Sequence, residues 1–203
     1  MQPETEITGV ILAGGRASRM GGQDKGLLDF SGQPLIEYVL QGLRPQLQHF
    51  VINANRNQQR YGEYGPVISD SIADYAGPLA GMLAAMESLS TRYILTVPCD
   101  SPFLPADLVA RLWQALTTQQ ASIAVAHDGK RLQPVFALVD TQLKPRLQNY
   151  LAAGDRKIDL WFEQNNMVAV DFSDQPQAFI NINNAEELAQ TAQALREGVS
   201  DGA

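Results

Sequence analysis

Arg16, Arg19 and Lys25 fall close together in a stretch that also holds Gly14, Gly15, Gly21, Gly22 and Gly26. Glycines let backbone N–H groups come close to a phosphate, an arginine grips phosphate oxygens in a fork, and a lysine acts as a compact point charge. Together these residues describe a cradle for a triphosphate. The bland alternative is a solvated surface loop. Two better-known cradles are excluded by inspection. Gly14 and Gly15 are adjacent, which breaks G-x-G-x-x-G, and Lys25 stands between Asp24 and Gly26, which breaks G-x-x-x-x-G-K-[ST].

A loop of this kind needs a rigid base. The apolar run Ile7 to Leu12 leads straight into it and reads as a buried strand, and ligands of open α/β sheets sit at the carboxyl ends of strands. Further strands are expected at Phe50 to Asn53, Pro66 to Ile68 and Tyr93 to Val97, alternating with helices opened by Pro34, Gly77-Pro78 and Pro105. In the second half, Ser122 to Ala126 and Val135 to Val139 flank an Asp-Gly turn at His127 to Lys130. A helix is expected from about Leu143 to Ala152, and strands at Met167 to Val170 and Phe179 to Ile182. Asn184 and Glu187 have capping-box spacing for a last helix, after which the tail from 197 to 203 frays. The expected fold class is α/β: Rossmann-like, with a mainly parallel sheet and helices on both faces.

Composition narrows the classes. The chain has 203 residues, 45% hydrophobic and 18% charged, and suits one domain with a sizeable core. A formal net charge of −7, with no basic stripe carrying interleaved aromatics, argues against nucleic acid as a partner. No apolar run approaches the roughly 20 residues of a membrane span, and the acidic start lacks the form of a signal peptide, so a cytoplasmic protein is expected. Cys99 is the single cysteine and is expected to be a small buried residue. His49 and His127 lie far apart, with no metal-ligand spacing.

Five blocks of sequence resemble a known family. They are Gly9 to Gly21 with Asp24-Lys25-Gly26-Leu27-Leu28, Val51 to Arg56, Asp70 to Gly81, Pro98 to Phe103, and Phe179 to Asn184. The first is similar to the L-A-[AG]-G-x-[SAG]-x-R-M-[GS] signature of nucleotidyltransferases with a Rossmann-like sheet, the nucleotide-diphospho-sugar transferase type. The Gly-Gly after Ala13 and the Asp-Lys-Gly after the loop resemble the molybdenum cofactor guanylyltransferase family in particular. The similarity spans about residues 7 to 195.

That resemblance implies roles. Leu12, Ala13, Gly14 and Gly15, with Asn53 and Asp70, resemble the positions that bind GTP, and Asp100 the position that holds Mg²⁺ and takes part in catalysis. Asn53 and Asp70 also suit turns after a strand, and Asp100 suits a cap of the turn that follows. Lys25 and Arg19 would neutralise phosphates as charge develops on a leaving group. Gly77 and Gly81 bracket a helix start, which draws anions, or serve a tight turn and close packing. Asn181 and Asn183 alternate along the expected last strand and resemble positions on the acceptor side. Arg156 and Lys157 either meet the acceptor's phosphate or form a solvated helix start.

The implied reaction is Mg²⁺-dependent transfer of GMP from GTP to the phosphate of molybdopterin, with pyrophosphate released. The nucleotide-binding half would cover about residues 7–105 and the acceptor-binding half about 106–196. Cofactor-insertion proteins or molybdoenzyme chaperones are the implied protein partners. Two alternatives stay open at this point: a sister enzyme using CTP or a sugar or polyol phosphate, and a GTP-binding cofactor carrier without chemistry.

Overall fold

The computed structural model describes residues 3–14, 24–30, 32–72 and 77–182. In chain order the elements are α1 (Pro3–Glu6), β1 (Ile7–Leu12), β2 (Asp29–Phe30), β3 (Gln33–Pro34), α2 (Leu35–Leu43), β4 (Phe50–Asn53), α3 (Gln58–Gly62), β5 (Val67–Ile68), α4 (Pro78–Ser88), β6 (Tyr93–Pro98), α5 (Leu108–Thr118), β7 (Ile123–His127), β8 (Leu132–Asp140), α6 (Lys144–Ala152), α7 (Ile158–Glu163) and β9 (Met167–Asp171). Among the described residues, seven strands form one sheet in the order β5-β4-β1-β6-β8-β7-β9. β1, β4, β5 and β6 run parallel, and β8 runs antiparallel to both its neighbours. β2 and β3 make a separate small hairpin.

Strands buried on both faces read as near-continuous apolar runs, and Ile94 to Val97 in β6 is such a run, broken only by the buried Thr96. One face packs on α2 and α5, through Ile36, Val39, Leu40 and Leu43 and through Leu108, Leu112 and Leu116. The other packs on α4, α6 and α7, through Leu79 to Met86, Leu147, Leu151, Trp161 and Phe162. In α4, every residue from Leu79 to Met86 is buried, as expected of a helix covered on all sides.

The chain leaves β1 towards β4 and β5 on one side, then returns to β6 on the other. The β1 to β6 boundary is therefore a topological switch point, where ligands of such sheets bind. Leu12 is level with Asn53 of β4 and with Pro98 of β6, so three carboxyl-terminal ends meet there.

Two expectations are corrected. Phe179 to Ile182 is not a strand: Pro176–Phe179 is a 3-10 turn, and the following residues are held individually. Ile182 N–H donates to the Asp100 carbonyl at 2.8 Å, so the segment is pinned to a loop instead of a sheet edge. Pro105 does not start α5. It forms a turn closed by the Leu108 N–H, and the helix begins at Leu108. The turn between β7 and β8 is present but spans Asp128 to Arg131, one residue later than expected because His127 still pairs with Leu132, with Gly129 at φ +90° and the Asp128 carboxylate accepting from Lys130 and Arg131 N–H. The expected cap at Asn184 and the tail lie outside the described residues.

Candidate functional site

A cleft of about 360 Å³ opens at the switch point. Leu12 and Gly14 line it from the end of β1, Asn53 from β4, Pro98 from the end of β6, Asp100 from the loop after it, and Gly77 from the start of α4. Asp70 lies on the β4 side, and Val135 and Asn181 come from the second half of the chain. Val135 reaches the cleft through an irregularity. The β7–β8 register shifts between Val125 and Ala126, which frees the segment around Pro134 from β7, and the Thr96 hydroxyl takes up the Val135 carbonyl at 2.8 Å. Proline has no ladder donor and suits such a break.

The β4 side of the cleft is a fixed polar network. Asn53 Nδ2 donates to Asp70 Oδ1 at 2.9 Å, and Asn55 Nδ2 donates to Asp70 Oδ2 at 2.7 Å. Asp70 N–H returns a bond to Asn55 Oδ1 at 2.8 Å. Both carboxylate oxygens are thus oriented, and each keeps a lone pair for a donor in the cleft. Two glycines make room. A Cβ at Gly81 would lie 2.5 Å from Asn53 Oδ1, and one at Gly14 would lie 3.2 Å from Asn55 Nδ2. Gly81 is buried beneath Asn53 and Leu12, and its absent side chain lets α4 pack close to both. Gly77 does line the cleft, with φ 71° and ψ −159°, a conformation that glycine alone adopts readily. Ala13 is buried, and its N–H joins the Asn53 carbonyl at 2.8 Å.

The opposite side carries charge. Lys25 Nζ lies 2.9 Å from Asp100 Oδ2, and the Asp100 side chain is only 12% exposed. Ser101, fully buried, donates its hydroxyl to Asn181 Oδ1 at 2.8 Å. Together with the Ile182 bond to Asp100, this ties the 180–182 segment to the loop after β6 and places Asn181 in the cleft. Among the described residues, no three or more His, Cys, Asp or Glu side chains gather as a metal cage. A Mg²⁺ ion uses one or two carboxylates together with substrate phosphates and water. Asp100, the cleft carboxylate beside a lysine, fits that donor set.

Some residues without a role in the sequence reading prove structural to the site. Asp24 is buried, pairs with Arg56 and accepts from Asn57 Nδ2 at 2.9 Å. The signal for it was the Asp24-Lys25-Gly26 triplet itself. Nothing local pointed to Arg56 or Asn57 as its counterparts. Below Lys25, a Cβ at Gly26 would meet Tyr61 Oη at 2.9 Å and Cys99 Cβ at 3.1 Å. Burial pushes the Tyr61 phenol and the Cys99 thiol well above their usual pKa ranges, so both stay neutral. The Tyr61 hydroxyl is buried without a hydrogen-bond partner among the described residues.

The expected site residues thus divide. Leu12, Gly14, Asn53, Asp70, Gly77, Asp100 and Asn181 line one cleft, with Lys25 bound to Asp100 at its side. Gly15, Arg16, Arg19 and Asn183 lie outside the described residues. The Arg156 guanidinium donates to the Leu151 and Asp155 carbonyls, closing the end of α6, and Lys157 stands just before α7 without a side-chain cap bond.

Comparison with known proteins agrees with this geometry. Residues 9–168 match the family model described as MobA-like NTP transferase domain. The chain is 50% identical over 191 residues to a molybdenum cofactor guanylyltransferase of Shewanella loihica, covering 94% of this chain and 97% of that one. It is 53% identical over 194 residues to the protein of the same name from Photobacterium profundum, covering 95% and 100%. In structure it resembles molybdopterin-guanine dinucleotide biosynthesis protein A from Archaeoglobus fulgidus, with a TM-score of 0.74 at 20% identity, covering 94% of this chain and 99% of that one. A 4-diphosphocytidyl-2C-methyl-D-erythritol synthase from Anaerococcus prevotii shares the fold at a TM-score of 0.69 and 14% identity, covering 95% and 97%. Gly14 after the end of β1, a carboxylate just after β6 and near-complete overlap with these relatives coincide in one chain, which belongs to the MobA-like NTP transferase family and within it to the molybdenum cofactor guanylyltransferases.

Proposed function

We infer that this enzyme transfers GMP from GTP to the terminal phosphate of molybdopterin, releasing pyrophosphate and forming the guanine dinucleotide cofactor. The observation that carries the reading is the pairing, across one cleft, of an oriented Asn53–Asp70 acceptor set with the Lys25–Asp100 charge pair. The relatives' shared name supplies the substrates.

The chemistry follows from that arrangement. An acceptor phosphate oxygen forms a bond to the α-phosphorus of GTP while the bond from that phosphorus to the β-phosphate's bridging oxygen breaks. The acceptor is already ionised near neutral pH, so its own oxygen serves as nucleophile without a strong general base. Asp70, its two oxygens aligned by Asn53 and Asn55, accepts the N–H donors of guanine. Gly14 and the start of α4 at Gly77 lie along the same cleft. Lys25 holds the phosphates and offsets the charge that builds on pyrophosphate. Asp100 would hold Mg²⁺, which would supply Lewis-acid neutralisation of the phosphates' negative charge. In this reading Arg19 and Gly15 complete the phosphate cradle, and Asn181 and Asn183 stand on the acceptor side, with residues 106–196 as the acceptor half. No helix among the described residues is long and apolar enough to cross a membrane. The reading assigns the enzyme to the cytoplasm, handing its product to cofactor-insertion proteins.

The test is pyrophosphate release from each of the four NTPs with Mg²⁺, with and without molybdopterin. Release with GTP alone and only with the acceptor is expected, and Asp100→Ala should nearly abolish it while the protein stays folded. Release with CTP, or with a sugar phosphate in place of the pterin, would overturn the assignment.

A further inference from the structure

We propose that Asp24 is a positioning residue for the transfer reaction, acting through Lys25, and that Arg56 and Asn57 are its anchors. The inference rests on the role given to Lys25 above.

Asp24 precedes Lys25 and stands at the cap position of the short 3-10 turn Lys25–Leu27. An aspartate there ordinarily accepts from the turn's own N–H groups. This one does not: its side chain makes no cap hydrogen bond. It turns away, pairs with the Arg56 guanidinium through Oδ1, and accepts from Asn57 Nδ2 through Oδ2. Only 6% of Asp24 is exposed. A carboxylate taken out of water in this way is costly unless both its oxygens are bonded, and removing one partner leaves a buried charge uncompensated. Asn57 adopts φ 47° and ψ 32°, a left-handed conformation that asparagine tolerates better than most residues.

The anchors matter because of what else their segment holds. Asn53 and Asn55 orient Asp70, and Arg56 and Asn57 hold Asp24. One short segment, from the last residue of β4 to Asn57, therefore fixes both the nucleotide-reading side of the cleft and the base of the lysine. Lys25 is strung between this segment, through Asp24, and the end of β6, through Asp100. A lysine has a long flexible stem, so the place from which that stem starts decides whether its ammonium meets the phosphates in line. Misplacement of about 1 Å can cost about 100-fold in rate.

The experiment is steady-state pyrophosphate release by the full chain, with GTP, Mg²⁺ and molybdopterin. It compares the parent, Asp24→Asn, Arg56→Met, Lys25→Ala and the combination of Asp24→Asn with Lys25→Ala. Folding of each variant is checked by circular dichroism and thermal melting. Asp24→Asn is expected to lower kcat by about 100-fold with KM for GTP changed by less than about threefold, since ground-state binding is shared with the cleft. Arg56→Met should reproduce that split, and it supplies the same test should Asp24→Asn fail to fold. In the Lys25→Ala background, Asp24→Asn should cause no further loss. A residue that only supports the fold would lower the rate by the same factor with or without the lysine, and that result would overturn the proposal. So would a folded Asp24→Asn enzyme with the parent's kcat. If Lys25→Ala itself turns over like the parent, the lysine's own role falls, and the positioning role of Asp24 falls with it.

Discussion

Replacing Gly81 with alanine puts a methyl group 2.5 Å from Asn53 Oδ1 and 2.7 Å from Leu12 Cδ2. Both distances are roughly 1 Å inside ordinary contact. Asn53 is 2% exposed and sits under the cleft, so it has nowhere to go but away from α4. Moving it that far breaks its 2.9 Å bond to Asp70 Oδ1. Overpacking of this kind costs about 1–3 kcal/mol, and the lost hydrogen bond about 1 kcal/mol more. Alanine in a helix interior regains about 1 kcal/mol over glycine. The net is a loss of about 1–3 kcal/mol, or roughly 2–4 °C in Tm for each of those kilocalories in a chain of this size. Because the displaced group belongs to the nucleotide-reading network, KM for GTP should rise by about tenfold, the equivalent of about 1.4 kcal/mol. Differential scanning calorimetry and GTP saturation curves check the two numbers on one preparation. Gly62→Ala, at the end of α3 where nothing lies within 4 Å of the added Cβ, is the control and should leave KM alone and not lower Tm, since helix propensity favours alanine there by up to about 1 kcal/mol. An unchanged Tm together with an unchanged KM in Gly81→Ala would refute the packing argument.

Gly77→Ala tests conformation without crowding. Nothing lies within 4 Å of its Cβ position, yet φ is 71°, so about 1–3 kcal/mol of backbone strain should appear as a lower Tm. Tyr61→Phe removes a buried hydroxyl that has no partner among the described residues, and should raise Tm by an amount equivalent to about 1 kcal/mol; a lower Tm would mean that the hydroxyl is bonded in solution. Hydrogen bonds from the Arg131 and Lys130 N–H groups hold the Asp128 carboxyl down at about 2, below its ordinary value of 3.8. A depressed folded pKa stabilises above the unfolded value and is lost as pH falls through the folded one. Asp128→Asn should therefore speed amide exchange in the β7–β8 turn at pH 5 to 7, and the difference from the parent should shrink as pH approaches 2.

The parts of this protein that local chemistry specifies could be read in advance. Largely apolar runs announced β1 and β6, and Asp128-Gly129 announced the turn between β7 and β8. Each depends on residues adjacent in the chain, so spacing is enough to find it. Phe179 to Ile182 misled for the same reason. Its alternation suits a strand, but Ile182 N–H is satisfied by the Asp100 carbonyl, a partner far away in sequence. The remaining decisions belong to tertiary structure. Whether Asp70 is a turn residue or an oriented acceptor depends on Asn53 and Asn55, brought beside it by the β4–β5 pairing. Whether Gly81 serves a ligand or a neighbour depends on how closely α4 approaches Leu12. Whether Asp24 caps its own turn or anchors Lys25 depends on Arg56 and Asn57 across the loop. A polar side chain buried on folding must find its hydrogen bonds wherever the fold puts them, and only the sheet's crossing order brings these partners within reach.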